Sequence, residues 1–259
     1  MVLGFVKSAG RAYYRAKGYF PATIRGNDFK LDPYHFAFWS AASQERWEPS
    51  TFDVITKYLS PEATYIDIGA WIGPTVLHAA KQCKQVYCFE PDPTALRFLN
   101  WNLDLNELHN VHALGVAVAA EAGLLKMATF GDNPGDSKTS LLQNEAQYFV
   151  HVLAITWADF IQKAQPENVS LIKIDTEGAE FDLIPTMREY LEDNRPALFL
   201  STHAPYLDES KRMDAMAALL DALSFYPNIY DEFLKPIGRD EFLSRKASEE
   251  FGTYLFADD

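Results

Sequence analysis

Four polar side chains stand where apolar runs end: Asp67, Glu90, Asp175 and His203. The first lies in Tyr65-Ile66-Asp67-Ile68-Gly69-Ala70-Trp71-Ile72-Gly73-Pro74, an apolar stretch running into Asp-x-Gly-x-x-x-Gly and then a helix start. Gly69 lets the backbone turn tightly and lets a ligand approach closely. Pro74 suits a first helical position, where no amide hydrogen is missed. Asp67 is then an acceptor near the crevice where doubly wound sheets bind ligands. Glu90 ends the next apolar run, Val86-Tyr87-Cys88-Phe89. An acid there accepts both ribose hydroxyls of a nucleoside. The turn is not Gly-x-Gly-x-x-Gly, the form that cradles a diphosphate. That departure points away from nicotinamide dinucleotides and toward S-adenosylmethionine, which has no phosphate.

The second constellation is Leu171-Ile172-Lys173-Ile174-Asp175-Thr176-Glu177-Gly178-Ala179-Glu180. Lys173 sits inside an apolar run that reads as a buried strand, and a buried lysine is costly unless paired. Side chains alternate along a strand, so Lys173, Asp175 and Glu177 share one face. A Lys–carboxylate network is the natural solution. It is either purely structural, or it orients a substrate hydroxyl, or it holds a divalent cation. The third is Phe199-Leu200-Ser201-Thr202-His203-Ala204-Pro205. Histidine titrates nearest neutrality, which suits a general base.

These groups need a scaffold that brings strand ends together, and the chain supplies one. Apolar runs at 64–68, 85–89, 111–118, 169–175 and 197–201 alternate with amphipathic stretches at 74–82, 94–105, 179–192 and 210–223. Late strands are predicted at 229–233 and 253–256, flanking a short helix near 240–247. This is the pattern of an α/β fold, a doubly wound and mostly parallel sheet covered on both faces. Residues 119–160 break the alternation: two strand-like runs around the polar loop 131–140 read as an inserted hairpin or lid. The division expected is an N-terminal basic and aromatic arm and cap over 1–49, and one catalytic domain over 50–259.

Composition narrows the function classes. The chain has 259 residues, 48% of them hydrophobic, enough for a sizeable core. Its net charge of −13 argues against a general nucleic-acid binder, which needs a basic footprint. Cys83 and Cys88 are too few for a disulfide framework or a four-ligand zinc site. No apolar run approaches the roughly 20 residues of a membrane-spanning helix. Basic residues interrupt the N-terminal apolar stretch, so no signal peptide is read there and a cytoplasmic location is expected. Residues 1–30 nevertheless carry six basic residues and one acid. With apolar residues at roughly helical spacing, they read as a helix. It docks on the acidic body, on a second copy of the chain, or on an anionic membrane surface.

Taken together, the constellations resemble the FkbM family of class I S-adenosylmethionine-dependent methyltransferases. The matching pieces are Asp67-Ile-Gly-Ala-Trp-Ile-Gly73, Phe89-Glu-Pro91, Asn102-x-x-x-Asn106 and Ile172-Lys-Ile-Asp-Thr-Glu-Gly-Ala-Glu180, with Trp47-Glu48-Pro49 as a lead-in. The likeness covers roughly residues 45–205. The family's Leu-Asp-Asp before the fourth strand is matched only in part, by Ile155-Thr-Trp-Ala-Asp-Phe160. The resemblance implies a class I methyltransferase sheet and methylation of a hydroxyl on a sugar, glycan or secondary metabolite. It implies that Gly69, Ala70, Trp71 and Gly73 line the methionine and sugar part of the cofactor. Glu90 holds the ribose, Glu48 approaches the amino group, and Ala117 lies on the adenine side. His203 is then the expected base. Asp175 is the second candidate, as base, orienter of His203 or ligand of a divalent metal. The rival readings are a nicotinamide-dependent oxidoreductase and a non-catalytic module that binds S-adenosylmethionine.

Overall fold

A computed structural model describes residues 2–129, 139–140 and 148–259, with side chains from residue 10 onward except 129, 139–140 and 148. Its N-terminal part comprises α1 (Val2–Lys17), the strands β1 (Phe20–Ile24) and β2 (Asn27–Leu31), α2 (Phe36–Ala42) and α3 (Pro49–Tyr58). Then come β3 (Thr64–Ile68), α4 (Pro74–Ala80), β4 (Gln85–Phe89), α5 (Pro93–Leu105), β5 (Val111–Leu114) and β6 (Ala117–Val118). The middle holds β7 (Gly123–Thr129), β8 (Thr139–Ser140), β9 (Tyr148–Ile155), α6 (Trp157–Ala164), β10 (Val169–Ile174) and α7 (Glu180–Asn194). The last third runs through β11 (Ala197–Thr202), α8 (Glu209–Ala222), β12 (Asn228–Asp231), β13 (Pro236–Ile237), α9 (Arg239–Phe242), α10 (Arg245–Glu249) and β14 (Gly252–Ala257).

The central sheet has the order β13-β12-β14-β11-β10-β3-β4-β5. The run from β11 to β5 is parallel, and β14 inserts antiparallel between β11 and β12. Strand order therefore reverses between β3 and β10. That is the switch point at which open α/β sheets leave a crevice above the strands' carboxyl ends. The fold is the doubly wound, class I methyltransferase type that the sequence implies.

Side-chain alternation divides the core into two layers. Tyr65, Val86, Cys88, Leu171 and Phe199 face Phe52, Ile55, Val76, Leu77 and Leu99 of α3, α4 and α5. Ile66, Ile68, Phe89, Ile172 and Leu200 face α6, α7 and α8, through Phe160, Leu183, Met187, Met216 and Leu220. Fully burying each such side chain contributes about 1.5–3 kcal/mol.

One expectation needs correction. The run at 111–118 is not one strand: β5 ends the main sheet, whereas β6 joins β9 and β7 in a second sheet. Gly115 separates them, and a Cβ there would meet Leu96 at 2.6 Å. The hairpin β1–β2 was not read from the sequence. Ile24, Phe29, Leu31 and Trp39 pack into the same core layer as Phe52 and Tyr65, so residues 20–49 fold onto the sheet. The inserted hairpin is present as β7 paired with β9. Of its polar loop at 131–140, only β8 lies among the described residues. The α1 segment is helical as predicted and meets the cap through Tyr14, whose ring packs on Phe20 and Phe36. No helix among the described residues is long and apolar enough to cross a membrane.

The Asn-x-x-x-Asn motif joins cap to sheet. Asn102 and Asn106 lie one turn apart on α5 and point the same way. Asn106 accepts from the Lys30 amide at 2.9 Å and donates to the Lys30 carbonyl at 2.7 Å, as a neighbouring strand would. Asn102 accepts from the Asp32 amide at 2.7 Å and donates to the Ile72 carbonyl at 3.0 Å.

Candidate active site

A cavity of about 430 Å³ opens over the carboxyl ends of β3, β4, β10 and β11, with Phe38, Trp47 and Glu48 of the cap on its wall. Its volume falls in the range of small-molecule sites. Gly69, Ala70, Trp71, Glu90, Ala117, Lys173, Asp175, Glu177, His203 and Glu48 all line it.

Two expected ligand contacts are not lining groups. Asp67 is fully buried one layer below. Its carboxylate accepts from Tyr65 Oη at 3.0 Å and Thr75 Oγ1 at 2.5 Å, and pairs with Lys173. Gly73 is the left-handed residue that starts α4, and its missing Cβ makes room for Leu99. Both support the turn from beneath. Gly69 has a packing reason of its own: a Cβ there would sit 1.9 Å from the Asp175 carbonyl oxygen. The two loops at the switch point can meet only over a glycine.

One end of the cavity suits a nucleoside. Glu90 is buried at the end of β4, with Trp71 N–H donating at 2.7 Å and Asp92 N–H at 2.8 Å. Burial pushes its carboxyl up to about 7, despite these two donors. Val116, Ala117, Val118 and Met127 form an apolar wall of the same cavity, so β6 and β7 complete a slot that the main sheet alone would leave open. Sequence reading singled out only Ala117 there, because nothing in the pattern showed the 111–118 run changing sheets.

The other end is acidic. Lys173 Nζ lies 3.4 Å from both Asp67 Oδ1 and Asp175 Oδ2. Burial opposes its charge, but Asp67, Asp175 and Glu48 outweigh that and raise its pKa, so it stays cationic. His203 Nε2 faces Asp175 Oδ1 at 3.6 Å and Glu177 Oε2 at 3.5 Å. Its Nδ1 lies 3.2 Å from Oε1 of Glu180, and its own amide donates to the same oxygen at 2.7 Å. Glu180 is fully buried at the start of α7, where Thr176 and Gly178 also donate to it. Burial alone would lower the imidazole's pKa; Glu180, Asp175 and Glu177 together hold it above the usual value. The sequence placed Glu180 in a motif but gave no hint that it orients His203.

Tyr206 and Phe251 were not anticipated. The Tyr206 ring stacks on His203 at 5.8 Å, and Phe251 lies 5.4 Å from His203 although 59% exposed. Tyr206 is within a helical turn of His203 in sequence. Phe251 immediately precedes β14, a long-range placement that local pattern does not carry. Three non-glycine residues of the rim adopt left-handed backbone: Glu48 at φ 39°, Trp71 at 49° and Glu177 at 53°. Such conformations cost of order 1 kcal/mol or more each and cluster where side chains must be aimed.

The sequence profile of the Methyltransferase FkbM domain matches residues 67–227, more than half of the chain. The chain belongs to the FkbM methyltransferase family. Among curated proteins, this FkbM chain is similar to methyltransferase sdnD from Sordaria araneosa, 28% identical over 155 residues. That match covers 48% of this chain and 60% of the relative, so it leaves a substantial part of the relative unmatched. Among solved structures it is similar to methyltransferase FkbM from Methylobacillus flagellatus KT, with TM-score 0.47 and 18% identity. That likeness covers 76% of this chain and 44% of the other. It is also similar to M. jannaschii TYW2 in complex with AdoMet, with TM-score 0.45 and 14% identity, over 93% and 85% of the two chains.

Proposed function

We propose that this FkbM-family protein is an S-adenosylmethionine-dependent O-methyltransferase acting on a hydroxyl of a sugar, glycan or secondary metabolite. The observation that carries the reading is one cavity with a nucleoside end built on Glu90 and a proton-accepting end built on Asp175, Glu177 and His203.

The residues fit the cofactor by charge as well as by shape. S-adenosylmethionine carries an ammonium and a sulfonium, and Glu48, Asp175 and Glu177 give the cavity acidic walls. Lys173, a basic group on that wall, is already neutralised by two carboxylates. A dinucleotide's diphosphate would meet repulsion there and lacks its glycine cradle. Glu90 holds the ribose, the wall around Ala117 takes the adenine, and the turn at Gly69, Ala70 and Trp71 takes the methionine part with Glu48. The bound cofactor supplies an activated methyl group on its sulfonium.

The chain's own work is alignment. Asp175, Glu177 and His203 accept hydrogen bonds from the acceptor and take up its hydroxyl proton. Tyr206 and the exposed Phe251 flank His203 and pack on the acceptor's body. Holding two reactants in register can supply on the order of 7–11 kcal/mol. A net charge of −13 argues against a nucleic-acid acceptor.

The test is a mass-spectrometric screen of hydroxylated metabolites and glycans for a 14-dalton gain that depends on S-adenosylmethionine. His203→Ala should lower kcat by roughly 10²–10⁴-fold, the range for a lost proton-transfer group. Near-normal turnover in that variant would remove the cluster from the reaction.

A further inference from the structure

The acidic end of the cavity is more heavily charged than proton transfer alone requires. Asp175, Glu177 and Glu180 surround a single imidazole. One ligand atom from each of Asp175, Glu177 and His203 lies within 4.8 Å of the others. Yet the contacts between them are poor hydrogen bonds, at 3.5 and 3.6 Å from Nε2. Among the described residues, no better partner reaches Nε2. The His203 side chain is only 9% exposed, and its Nε2 is aimed into the cluster.

A second feature points the same way. Nδ1 is held by the buried Glu180, which selects the tautomer with its proton on Nδ1 and a lone pair on Nε2. Histidines that bind metals are characteristically fixed in this way, by a carboxylate on the other ring nitrogen. Asp175 is likewise anchored. Its Oδ2 faces Lys173, which leaves Oδ1 turned toward the cluster. The backbone at Glu177 is left-handed, so its side chain comes from the loop back toward His203.

We propose that Asp175, Glu177 and His203 form a binding site for one divalent first-row transition ion. The proposal rests on the cavity being the methyl-transfer site and specifies how its acidic end takes the acceptor. Two carboxylates and one imidazole on one side of an ion suit Mn²⁺, Fe²⁺ or Zn²⁺ better than the all-oxygen set that Ca²⁺ prefers. An ion about 2.1 Å from each donor holds adjacent donors about 3 Å apart. The two contacts to Nε2, at 3.5 and 3.6 Å, are near an ion-binding spacing, and the two carboxylate oxygens lie within 4.8 Å of each other. All three residues line the cavity, so an ion they hold would be open to an acceptor with two neighbouring oxygens, a vicinal diol or a hydroxy-carbonyl. With an ion bound, the three side chains would act as its ligands in place of direct proton uptake by His203, and the acidified hydroxyl would release its proton to solvent at the cavity mouth.

Mn²⁺ binding to the full chain tests this, read by loss of the free-ion electron paramagnetic resonance signal. The proposal expects one Mn²⁺ per chain with a dissociation constant in the micromolar range. Asp175→Asn and Glu177→Gln should each weaken binding at least tenfold, the scale seen when a metal site loses part of its support. Circular dichroism and thermal unfolding on the same preparations report that the variants are folded, and S-adenosylhomocysteine binding by the wild type is measured alongside. Wild-type protein that binds no Mn²⁺ at 1 mM, or variants that bind as tightly as wild type, would overturn the site. Loss of S-adenosylhomocysteine binding by the wild type would instead overturn the cofactor reading and leave the cation result standing.

Discussion

Lys173 and Asp67 are register partners on neighbouring parallel strands, and their charged groups meet 3.4 Å apart with both side chains buried. The pair sits beneath the cavity floor and props Asp175 from below. Lys173→Met would leave the Asp67 carboxylate buried without a counter-charge, and should cost about 3–5 kcal/mol in urea unfolding. Adding Asp67→Asn should recover part of that loss. Strictly additive losses in this double-mutant cycle would show that the two groups are not coupled.

In the proposed cofactor site Glu90 confers a pH dependence. Its carboxyl is pushed up to about 7 by burial, and in the proposed complex the ribose hydroxyls donate to the ionised form. Below pH 7 the group is protonated and must release a proton on binding; above pH 7 it is ready. S-adenosylhomocysteine affinity should therefore fall as pH drops below about 7, by at most tenfold per unit, and level off above it. Without ligand the linkage runs the other way: an acid whose folded pKa is raised loses stability as pH rises from about 4.5 to 7. Glu90→Ala should weaken binding by about 1.5–3 kcal/mol and flatten the pH profile. Calorimetry from pH 5.5 to 8.5 checks both.

The glycines of the turn should differ in severity. At Gly69, φ is +93° and an added Cβ meets backbone; at Gly73, φ is +92° and it meets a movable leucine methyl. Left-handed backbone alone costs a non-glycine residue about 1–2 kcal/mol. Gly73→Ala should cost roughly that much. Gly69→Ala should cost clearly more, because the β3 and β10 loops must separate. Thermal unfolding of the two variants gives the comparison.

Asn102 connects the cap to the Gly69–Gly73 turn through Asp32 and Ile72, whereas Asn106 holds β2 and the Asn102 carbonyl of its own helix. Each buried group left unpaired costs about 1–3 kcal/mol. Asn102→Ala should lower both stability and S-adenosylhomocysteine affinity, since Trp71 follows Ile72 when the turn relaxes. Asn106→Ala should lower stability with little effect on affinity. Equal affinity losses would contradict this division.

The sequence was most legible where local pattern and topology agree. The strands at Thr64–Ile68 and Gln85–Phe89 coincide with the predicted runs, because an apolar run buried on both faces has no competing periodicity. Asp175 and His203 converge because doubly wound sheets place neighbouring strand ends together. The roles of Asp67, Gly73 and Glu180 were less legible. Whether a polar residue at a strand end faces a ligand or lies one layer below depends on partners distant in sequence. The β1–β2 hairpin was missed because alternation in Asn27–Leu31 is short and charged, and it is held in place by Asn106 on a helix 76 residues away.

Calorimetric titration of the full chain with S-adenosylhomocysteine and, separately, with NAD tests the central claim most directly. The account predicts one S-adenosylhomocysteine per chain, bound at micromolar affinity and weakened by Glu90→Ala, with no detectable NAD binding. NAD binding without S-adenosylhomocysteine binding would contradict it.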